Sequence, residues 1–388
     1  MTSSPTMYRS STTAPVNIAV VKYWGKRDTV LNLPTNSSLS VTLSQGDLRA
    51  HTTATCSESY SPEPDSLVLN GQPEDIQASK RTLACLFSLR SLRAKLESAD
   101  SSLPKLSSYP LRIASKNNFP TAAGLASSAA GFAALVRAIA DLYELPHTPE
   151  ELSLIARQGS GSACRSLMGG YVAWRAGTRE DGSDSMAQEV APASHWPEMR
   201  ALILVVSAEK KGISSTAGMQ VTVKTSDLFK SRVEQTVPKH MTLMEQAIRE
   251  RDFQLFAEVT MRDSNNFHAV CRDSWPPINY LNDVSLAACK VVEAINGDGK
   301  YHCAYTFDAG PNPVIYYLES AAAKVEGTLR VLLHHVEGWP RSHAGFVQPL
   351  AESGKELTKA ERTLAAGISR VICTRVGGAP ERTSEHLL

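Results

Sequence analysis

The sequence lacks a long apolar segment and an excess of charge of one sign, and its first residues lack the apolar core typical of a secretion signal. No run of apolar residues approaches the roughly 18 that a membrane-spanning helix requires. Lysine and arginine total 40 against 39 aspartate and glutamate residues, and this net charge of +1 argues against a broad nucleic-acid or anionic-membrane surface. The first thirteen residues carry one arginine and no apolar core, so we expect no signal peptide and a cytoplasmic protein.

The cysteines and histidines do not form a recognisable pattern. The seven cysteines are scattered, with no C-x-x-C pair, and the ten histidines show no H-E-x-x-H spacing. An odd number of isolated cysteines is typical of reduced thiols rather than of a disulfide framework. The sequence therefore predicts neither a Cys/His metal site nor disulfides. A small basic pocket for an anionic metabolite remains compatible with the balanced charge.

The sequence has enough apolar material for a sizeable core. Apolar residues make up 42% of its 388 residues and charged residues 20%, as in globular proteins. Its length corresponds to roughly two to three domains. Strands and helices alternate without the regular length of βαβ units, which favours an α+β fold. Polar stretches at 179–186 and 191–197 predict a boundary between domains 1–195 and 196–388.

Hydrophobic periodicity divides the chain into short strands and longer helices. Apolar and β-branched runs predict strands at 16–23, 39–43, 67–69, 111–115, 171–174, 201–206, 304–307, 311–317 and 371–374. Helical spacing predicts helices at 76–96, 132–145, 149–157, 241–261 and 281–295. Thr148, Pro149 and Glu151 form a capping-box pattern at the start of one helix. The stretch 207–226 is polar and has no predicted element.

The segment 120–131 reads P-T-A-A-G-L-A-S-S-A-A-G and leads directly into a predicted helix. Small residues leave its backbone accessible, so free N–H groups and the positive end of the helix dipole favour a bound phosphate. The Walker A pattern is absent. A tight helix–helix contact is the alternative interpretation. The candidate phosphate-binding residues are Gly124, Ala126, Ser127 and Ser128.

A second glycine- and serine-rich segment, G-S-G-S-A-C-R at 159–165, follows a predicted helix. Its composition suits an anion cradle, and Arg165 can bind a carboxylate or phosphate through two parallel hydrogen bonds. A Gly/Ser linker that ends in arginine is the alternative. Cys164 suggests a thiol nucleophile, but the sequence indicates no partner histidine.

Three further segments carry charged or hydroxyl side chains. The run K-Y-W-G-K-R-D at 22–28 gathers three cations and two aromatic residues, unless it is only a solvated charge run. Asp308 lies between an apolar strand and a Gly-Pro turn, either as a turn former or as a carboxylate that accepts a proton. The hydroxyl cluster at 214–216 follows K-K-G and forms either an anion contact or a solvated loop.

Four of these runs together resemble the mevalonate diphosphate decarboxylase family, within the superfamily named for galactokinase, homoserine kinase, mevalonate kinase and phosphomevalonate kinase. They are A-P-V-N-I-A-V-V-K-Y-W-G-K-R-D (14–28), N-N-F-P-T-A-A-G-L-A-S-S-A-A-G (117–131), G-S-G-S-A-C-R-S-L (159–167) and A-Y-T-F-D-A-G-P-N (304–312). The runs at 33–43 and 263–269 also fit, whereas Pro313 departs from the pattern and 320–365 matches weakly. The alanine-rich loop is shared across the superfamily, but W-G-K-R-D and G-S-G-S-A-C-R single out the decarboxylase.

The resemblance implies an activity and a fold. The implied reaction converts ATP and (R)-5-diphosphomevalonate to isopentenyl diphosphate, CO₂, ADP and phosphate, in isoprenoid and sterol synthesis. It also implies Mg²⁺, a homodimer, a ribosomal-protein-like N-terminal domain and a ferredoxin-like C-terminal domain, with the site between them. The alternatives are a kinase of the same superfamily that stops at phosphorylation, and a non-catalytic nucleotide-binding protein.

The resemblance also implies roles for individual residues. Asp308 is implied to deprotonate the tertiary hydroxyl, Arg165 to hold the substrate carboxylate, and Lys22 to support Asp308. Asn17 is expected to orient groups beside Lys22. The phosphates of ATP are expected at Ser127 and Ser128 and at the backbone from Gly124 through Ala126. The implied substrate-binding residues are Tyr23, Trp24, Gly25, Lys26, Arg81, Ser160, Gly161, Ser162, Ala163, Cys164, Arg165, Ser214, Ser215 and Thr216.

Overall fold

A computed structural model of the chain describes residues 6–119, 127–206, 213–340 and 356–388. Its strands are β1 (Tyr8–Pro15), β2 (Asn17–Val21), β3 (Lys26–Asp28), β4 (Leu33–Pro34), β5 (Ser38–Thr42), β6 (Arg49–Cys56), β7 (Ser66–Leu69), β8 (Gln72–Glu74), β9 (Leu111–Asn117), β10 (Tyr171–Trp174), β11 (Ala187–Ala191), β12 (Met199–Val206), β13 (Cys303–Phe307), β14 (Pro313–Leu318), β15 (Ile368–Arg375) and β16 (Glu381–Arg382). Its helices are α1 (Lys80–Ala99), α2 (Ser127–Leu142), α3 (Pro149–Gly159), α4 (Ser215–Thr225), α5 (Leu228–Ser231), α6 (Val237–Glu250), α7 (Phe253–Asp273), α8 (Asp283–Ile295), α9 (Ala322–Leu332) and α10 (Lys359–Gly367).

A six-stranded sheet forms one layer of the N-terminal half, in the order β16-β1-β6-β9-β7-β8. Helix α2 packs against β1 and β6, and its alanine-rich sequence allows this close approach because small side chains let backbones come together. Strand β16 comes from the end of the chain and pairs with β1, so the last residues lie against the first strand.

Two four-stranded sheets and a short two-stranded sheet of β3 and β4 complete the architecture among the described strands. One has the order β11-β10-β5-β2, and every residue of β2 is buried. The other has the order β13-β14-β12-β15 and packs against helices α8, α9 and α10 around Leu202, Leu329 and Leu364. Pairing within both sheets is antiparallel, as expected for a mixed α/β fold in which helices cover sheet faces.

The core is continuous across the predicted domain boundary. One apolar cluster includes Val20 and Leu39 of the N-terminal half together with Met244, Phe256 and Tyr316 of the C-terminal half. The boundary at 195 stays a prediction. None of the helices among the described residues combines the length and apolar character needed to cross a membrane.

Most of the predicted elements are present, and the capping box at α3 is confirmed. Glu151 N donates to Thr148 Oγ1 over 3.3 Å, and Thr148 N donates to Glu151 Oε2 over 2.8 Å. The single helix predicted over 241–261 is wrong. It is divided between α6 and α7, because Arg251 adopts a left-handed conformation (φ 54°) and Asp252 caps the second helix.

Several elements were not predicted, and three of them have sequences rich in serine, threonine and alanine. Strands β1 and β6 carry few large apolar residues, yet they pair with each other along their full lengths. Helix α4 lies in the polar stretch 207–226 and begins after Ser214, whose side chain accepts a hydrogen bond from Ala217 N. Tertiary packing, rather than local periodicity, determines these elements.

Candidate active site

A cavity of about 370 Å³ gathers residues from all of the predicted motifs. Its lining comes from both halves of the chain, so motifs distant in sequence face one space. The predicted residues that line it are Lys22, Tyr23, Trp24, Lys26, Arg81, Ser127, Ser128, Ser160, Gly161, Ser162, Arg165, Ser215, Thr216 and Asp308.

Four predicted substrate-binding residues do not line this cavity. Ala163 is fully buried behind it, and Ser214 serves as the N-cap of α4. Gly25 has φ +88°, and a Cβ there would lie 2.5 Å from the Phe229 ring. Gly25 therefore allows the K-Y-W-G-K run to adopt a backbone conformation that a larger residue would not permit. Cys164 is the fourth predicted substrate-binding residue outside the cavity lining. Among the predicted phosphate-binding residues, Gly124 and Ala126 lie outside the described residues.

The Cys164 thiol is buried and unsuited to nucleophilic chemistry. Its Sγ donates to the Gly161 carbonyl over 3.0 Å. Burial raises the pKa of this thiol to about 12, so the reactive thiolate is scarce near neutral pH. The thiol-nucleophile interpretation of the sequence therefore finds no support in the structure.

Lys22 and Asp308 form an ion pair at the wall of the cavity. Lys22 Nζ donates to Asp308 Oδ1 over 2.7 Å and to the Ala19 carbonyl over 2.6 Å. Both residues line the cavity, and the carboxylate is the more accessible partner, because the Lys22 side chain is 3% exposed and that of Asp308 is 32% exposed. Burial lowers the pKa of Lys22 by disfavouring its charged form, and the Asp308 carboxylate opposes this shift.

Arg165 is a buried cation held by neutral groups. Its Nε donates to Ser40 Oγ over 2.9 Å and to Asn17 Oδ1 over 3.2 Å, and Nη1 donates to Ser38 Oγ over 2.6 Å. No carboxylate of the described residues lies within ion-pair distance, and burial lowers the pKa of the guanidinium. A buried charge of this kind is costly unless it is paired, so the site favours an anionic ligand at Arg165.

Asn17 links Arg165 to the cradle at 159–165. Besides accepting from Arg165, its Nδ2 donates to the Ser162 carbonyl over 3.0 Å and to Ser166 Oγ over 2.8 Å. The expectation that Asn17 orients groups beside Lys22 stays a prediction, because these contacts are with Arg165 and the cradle.

Three serine hydroxyls connect the start of α2 to the cradle. Ser128 Oγ lies 3.2 Å from Ser160 Oγ, which lies 3.4 Å from Ser162 Oγ. All three line the cavity, and hydroxyl groups can both donate to and accept from a bound ligand. The structure therefore presents a row of hydroxyls between the predicted phosphate loop and Arg165.

Gly161 lets two aromatic rings approach this cradle. A Cβ at Gly161 would lie 2.9 Å from atoms of both Trp174 and Tyr23. The Tyr23 hydroxyl is buried without a hydrogen-bond partner among the described residues, although Tyr23 lines the cavity. A buried hydroxyl without a partner is unfavourable, so the Tyr23 hydroxyl is available to hydrogen-bond with a ligand in the cavity.

The opposite end of the cavity is basic. Arg81 Nη2 donates to Thr216 Oγ1 over 2.8 Å, which joins α1 to α4. Burial, assisted by the charge of Arg81, lowers the pKa of Lys26 to about 8. The described lining therefore has four basic side chains and one carboxylate, that of Asp308. The basic residues are Lys22, Lys26, Arg81 and Arg165. Such a lining suits a ligand with several negative charges.

A second cavity, of about 350 Å³, shares Ser127 and Ser128 with the first. Its other walls are mainly apolar and include Leu67, Ile76 and Phe132. A largely apolar pocket that opens beside two hydroxyl groups suits a flat ring whose attached chain extends toward the first cavity.

Sequence reasoning gave no role to the residues that support Lys22, although Asp263 begins the run 263–269. Arg232 and His240 are buried and both contact the buried Asp263. The sequence feature that could have revealed them is Asp263, an aspartate on the apolar face of α7 between Phe256 and Phe267. A charged residue on an apolar helix face is rarely buried unless it is paired.

The described residues contain no group of three or more His, Cys, Asp or Glu side chains that would hold a metal ion. The candidate site instead offers hydroxyls, cations and one carboxylate. This donor set suits a metal that arrives with phosphate ligands, because Mg²⁺ commonly binds through substrate phosphates and few protein side chains.

Comparisons with known proteins identify the family of the chain. Two family models match the chain, the Diphosphomevalonate decarboxylase-like N-terminal domain over residues 14–187 and the Mevalonate 5-diphosphate decarboxylase C-terminal domain over residues 201–383. A diphosphomevalonate decarboxylase of Aspergillus fumigatus is 65% identical over 100% of this chain and 97% of its own length.

Solved structures give the same result. A crystal structure of mevalonate 5-diphosphate decarboxylase is 53% identical, with a TM-score of 0.91 and coverage of 98% of both chains. Another structure, a complex with MVAPP, AMPPCP and magnesium, is 29% identical, with a TM-score of 0.76, and covers 98% of this chain and 100% of its own. The chain belongs to the diphosphomevalonate decarboxylase family.

Proposed function

We propose that this protein catalyses the ATP-dependent decarboxylation of (R)-5-diphosphomevalonate to isopentenyl diphosphate, with release of ADP, phosphate and CO₂. The observation that carries the proposal is the Lys22–Asp308 pair, whose carboxylate faces the same cavity as the unpaired Arg165. This arrangement supplies one proton acceptor and one anion-binding group to a single ligand. The reaction belongs to the mevalonate pathway of isoprenoid and sterol synthesis.

The charges of the cavity match the two anionic ends of this substrate. Its diphosphate would bind at the basic end, to Lys26 and Arg81 with Thr216 beside them. Its carboxylate would bind Arg165, whose guanidinium forms two parallel hydrogen bonds with such a group. The serine hydroxyls of the cradle would contact the chain between the two ends. With both ends bound, the tertiary hydroxyl would lie near Asp308.

ATP would occupy both cavities. Its base fits the second, mainly apolar cavity, and its phosphates would reach the first past Ser127 and Ser128, which line both. The helix dipole of α2 favours negative charge at this end. The same serines would hold Mg²⁺ together with the phosphates, and the metal supplies charge neutralisation for phosphoryl transfer when it is bound. The relative solved with AMPPCP and magnesium supports ATP and Mg²⁺ as ligands of this site.

The chemistry follows from the position of Asp308. Its carboxylate would accept the proton of the tertiary hydroxyl as that oxygen attacks the γ-phosphorus. Phosphate then leaves with the bonding electrons of the carbon–oxygen bond, and positive charge develops on the tertiary carbon. The bond to the carboxylate breaks, CO₂ departs, and its electron pair forms the double bond. Once the accepted proton has passed to an oxygen of the leaving phosphate, the restored carboxylate of Asp308 would stabilise the developing cation.

The finer structural assignments also belong to this proposal. They are a ribosomal-protein-like N-terminal domain, a ferredoxin-like C-terminal domain, an active site between them, a homodimer and a cytoplasmic location. The antiparallel sheet order β13-β14-β12-β15 with helices on it supports the ferredoxin-like assignment.

The direct test is product analysis. Purified protein is incubated with ATP, Mg²⁺ and diphosphomevalonate carrying a ¹⁴C label in its carboxyl group. We expect labelled CO₂ and isopentenyl diphosphate in equal amounts to ADP. A stable phosphorylated acid without CO₂ would instead identify a kinase, and nucleotide binding without turnover would identify a non-catalytic protein.

A further inference from the structure

The main chain of Lys22 lies just beyond the end of its strand. Strand β2 pairs with β5 with a bulge, since Ala19 pairs with Ser40 but Val21 pairs with Leu39. Bulges commonly redirect a side chain next to an active site. The strand ends at Val21, so the N–H and carbonyl groups of Lys22 take their partners from side chains rather than from the sheet.

These side chains come from three separate parts of the chain. Asp263 Oδ1 on α7 accepts from Lys22 N over 2.7 Å. Arg232 Nη2 donates to the Lys22 carbonyl over 3.0 Å, and Asn36 Nδ2 donates to the same oxygen over 3.0 Å. Side chains therefore bind both polar groups of the Lys22 main chain. The position of the Lys22 ammonium relative to Asp308 depends on where those side chains lie.

Asp263 is itself fixed from two further directions. Arg232 Nη2 donates to its Oδ1 over 3.0 Å and Nη1 to its Oδ2 over 3.2 Å, while His240 Nδ1 lies 2.8 Å from Oδ2. Arg232 and Asp263 are fully buried. Burial alone would raise the pKa of Asp263, but Arg232 and the hydrogen bonds from His240 and Lys22 lower it to about 2. Asp263 is therefore a constant hydrogen-bond acceptor.

An irregular helical turn places Arg232 in this cluster. Residues Arg232–Thr236 form a π-helical turn between α5 and α6. Pro238 follows at the start of α6 and has no N–H with which to continue the regular helical bonding. π-Helical turns occur frequently at functional sites because they shift the side chains that follow. Here the turn lets Arg232 and His240 approach the same carboxylate.

We propose that His240, Asp263 and Arg232 are positioning residues that hold the Lys22 main chain so that its ammonium stays against Asp308. This inference rests on the proposed function for the role of Asp308, but its geometry does not. None of the three residues lines the described cavity. They act on the reaction through Lys22, and loosening them lengthens the contact between Lys22 Nζ and the carboxylate that accepts the proton.

His240 offers the cleanest test because its contribution to the cluster is a single contact at Nδ1. His240→Ala removes that contact, whereas His240→Asn retains a donor, since the asparagine Nδ2 follows Cγ as the histidine Nδ1 does. We expect His240→Ala to lower kcat about tenfold with little change in KM, as a misplaced catalytic group does. We expect His240→Asn to recover most of that loss.

His195 provides a matched control. Its Nε2 makes one hydrogen bond of the same length, 2.8 Å, to the Ile248 carbonyl on α6. His195 lies outside the cavity lining, so His195→Ala is expected to change thermal stability without changing kcat. All rates are divided by the concentration of folded protein, so that a loss of folded protein is not counted as a loss of kcat. If His240→Ala fails to fold, Arg232→Lys takes its place, because lysine keeps the charge but lacks the fork that binds both Asp263 and Lys22.

Two results would overturn the proposal. In the first, His240→Ala (or Arg232→Lys) keeps the kcat of the unsubstituted protein, as His195→Ala does. In the second, folded His240→Asn is as slow as His240→Ala. Either result would make the cluster a purely structural ion pair.

A spectroscopic measurement separates this proposal from the proposed function. The ¹³Cε resonance of Lys22 is assigned by comparison with Lys22→Arg and followed without substrate or ATP. We expect this resonance to shift in His240→Ala and to remain unchanged in His195→Ala. A shift would support the positioning role even if the unsubstituted protein released no CO₂, and an unmoved resonance would contradict it even in an active enzyme.

Discussion

The Lys22 ammonium and the Asp308 carboxylate lie 2.7 Å apart although 286 residues separate them in the sequence. Lys22 follows β2 in the N-terminal half, and Asp308 follows β13 in the C-terminal half. The pair therefore joins the two halves at the wall of the cavity. Neither residue would carry the proposed chemistry alone, because the carboxylate needs a fixed position and the buried ammonium needs a counterion.

The first prediction concerns Asp308. Asp308→Asn keeps the size of the side chain but removes the proton acceptor, so we expect turnover to fall by roughly 10²–10⁴-fold. Substrate binding should persist, because Arg165 and the basic end remain. Release of labelled CO₂ and equilibrium binding of diphosphomevalonate measure the two effects. The matched control is Asp298→Asn, whose carboxylate is 51% exposed and pairs with Lys324 outside the cavity. Near-normal CO₂ release from Asp308→Asn would contradict the assignment.

The second prediction concerns Arg165. Arg165→Gln removes the cation proposed to bind the substrate carboxylate, and we expect turnover to fall by about 10²-fold through misplacement of the reacting end. Affinity for ATP should change much less, because the nucleotide is proposed to bind elsewhere. Steady-state kinetics with each substrate varied in turn gives both values. Arg200→Gln, which removes a cation paired with Glu319 outside the cavity, is the control. Unchanged turnover in Arg165→Gln would remove this residue from the site.

The third prediction concerns pH. Lys26 has a pKa lowered to about 8, so it carries its charge below that pH and loses it above. The diphosphate needs the charged form, so kcat/KM for diphosphomevalonate should fall as pH rises through about 8. The kcat profile should fall only at higher pH, because bound diphosphate raises the pKa of Lys26 again. In Lys26→Arg the charge persists at every pH tested, so this fall in kcat/KM should disappear. If kcat/KM of Lys26→Arg falls at the same pH as that of the unsubstituted protein, another group is responsible for the fall.

The fourth prediction concerns Gly161. In Gly161→Ala the added methyl group meets the rings of Trp174 and Tyr23 at 2.9 Å, which leaves no room for it. We expect the free energy of unfolding to fall by about 1–3 kcal/mol, the usual effect of overpacking, together with a loss of activity as the cradle shifts. Chemical denaturation and turnover assays measure these effects. Gly378→Ala, where the nearest atom lies 3.9 Å from the new Cβ, should be close to neutral.

Local patterns in the sequence predicted many of the strands and helices, but they failed where tertiary contacts dominate. The capping box at Thr148 was predictable because its partners lie three residues apart. The division of 241–261 was not, because the left-handed conformation of Arg251 is unusual for a residue with a side chain. Strands β1 and β6 stabilise each other by pairing, and pairing between distant segments leaves no local pattern in the sequence.

The sequence by itself determined the chemistry that is available: a small-residue loop before a helix, a cradle that ends in arginine, several cations and one isolated aspartate. These are local features, and their composition limits what they can bind. The tertiary structure decided which of them meet. The bulge in β2, the burial of Cys164 and the support of Lys22 by Asp263, Arg232 and His240 all depend on contacts between residues far apart in the chain. Such contacts arise only when folding removes these groups from water, because a buried polar group is costly unless it forms hydrogen bonds.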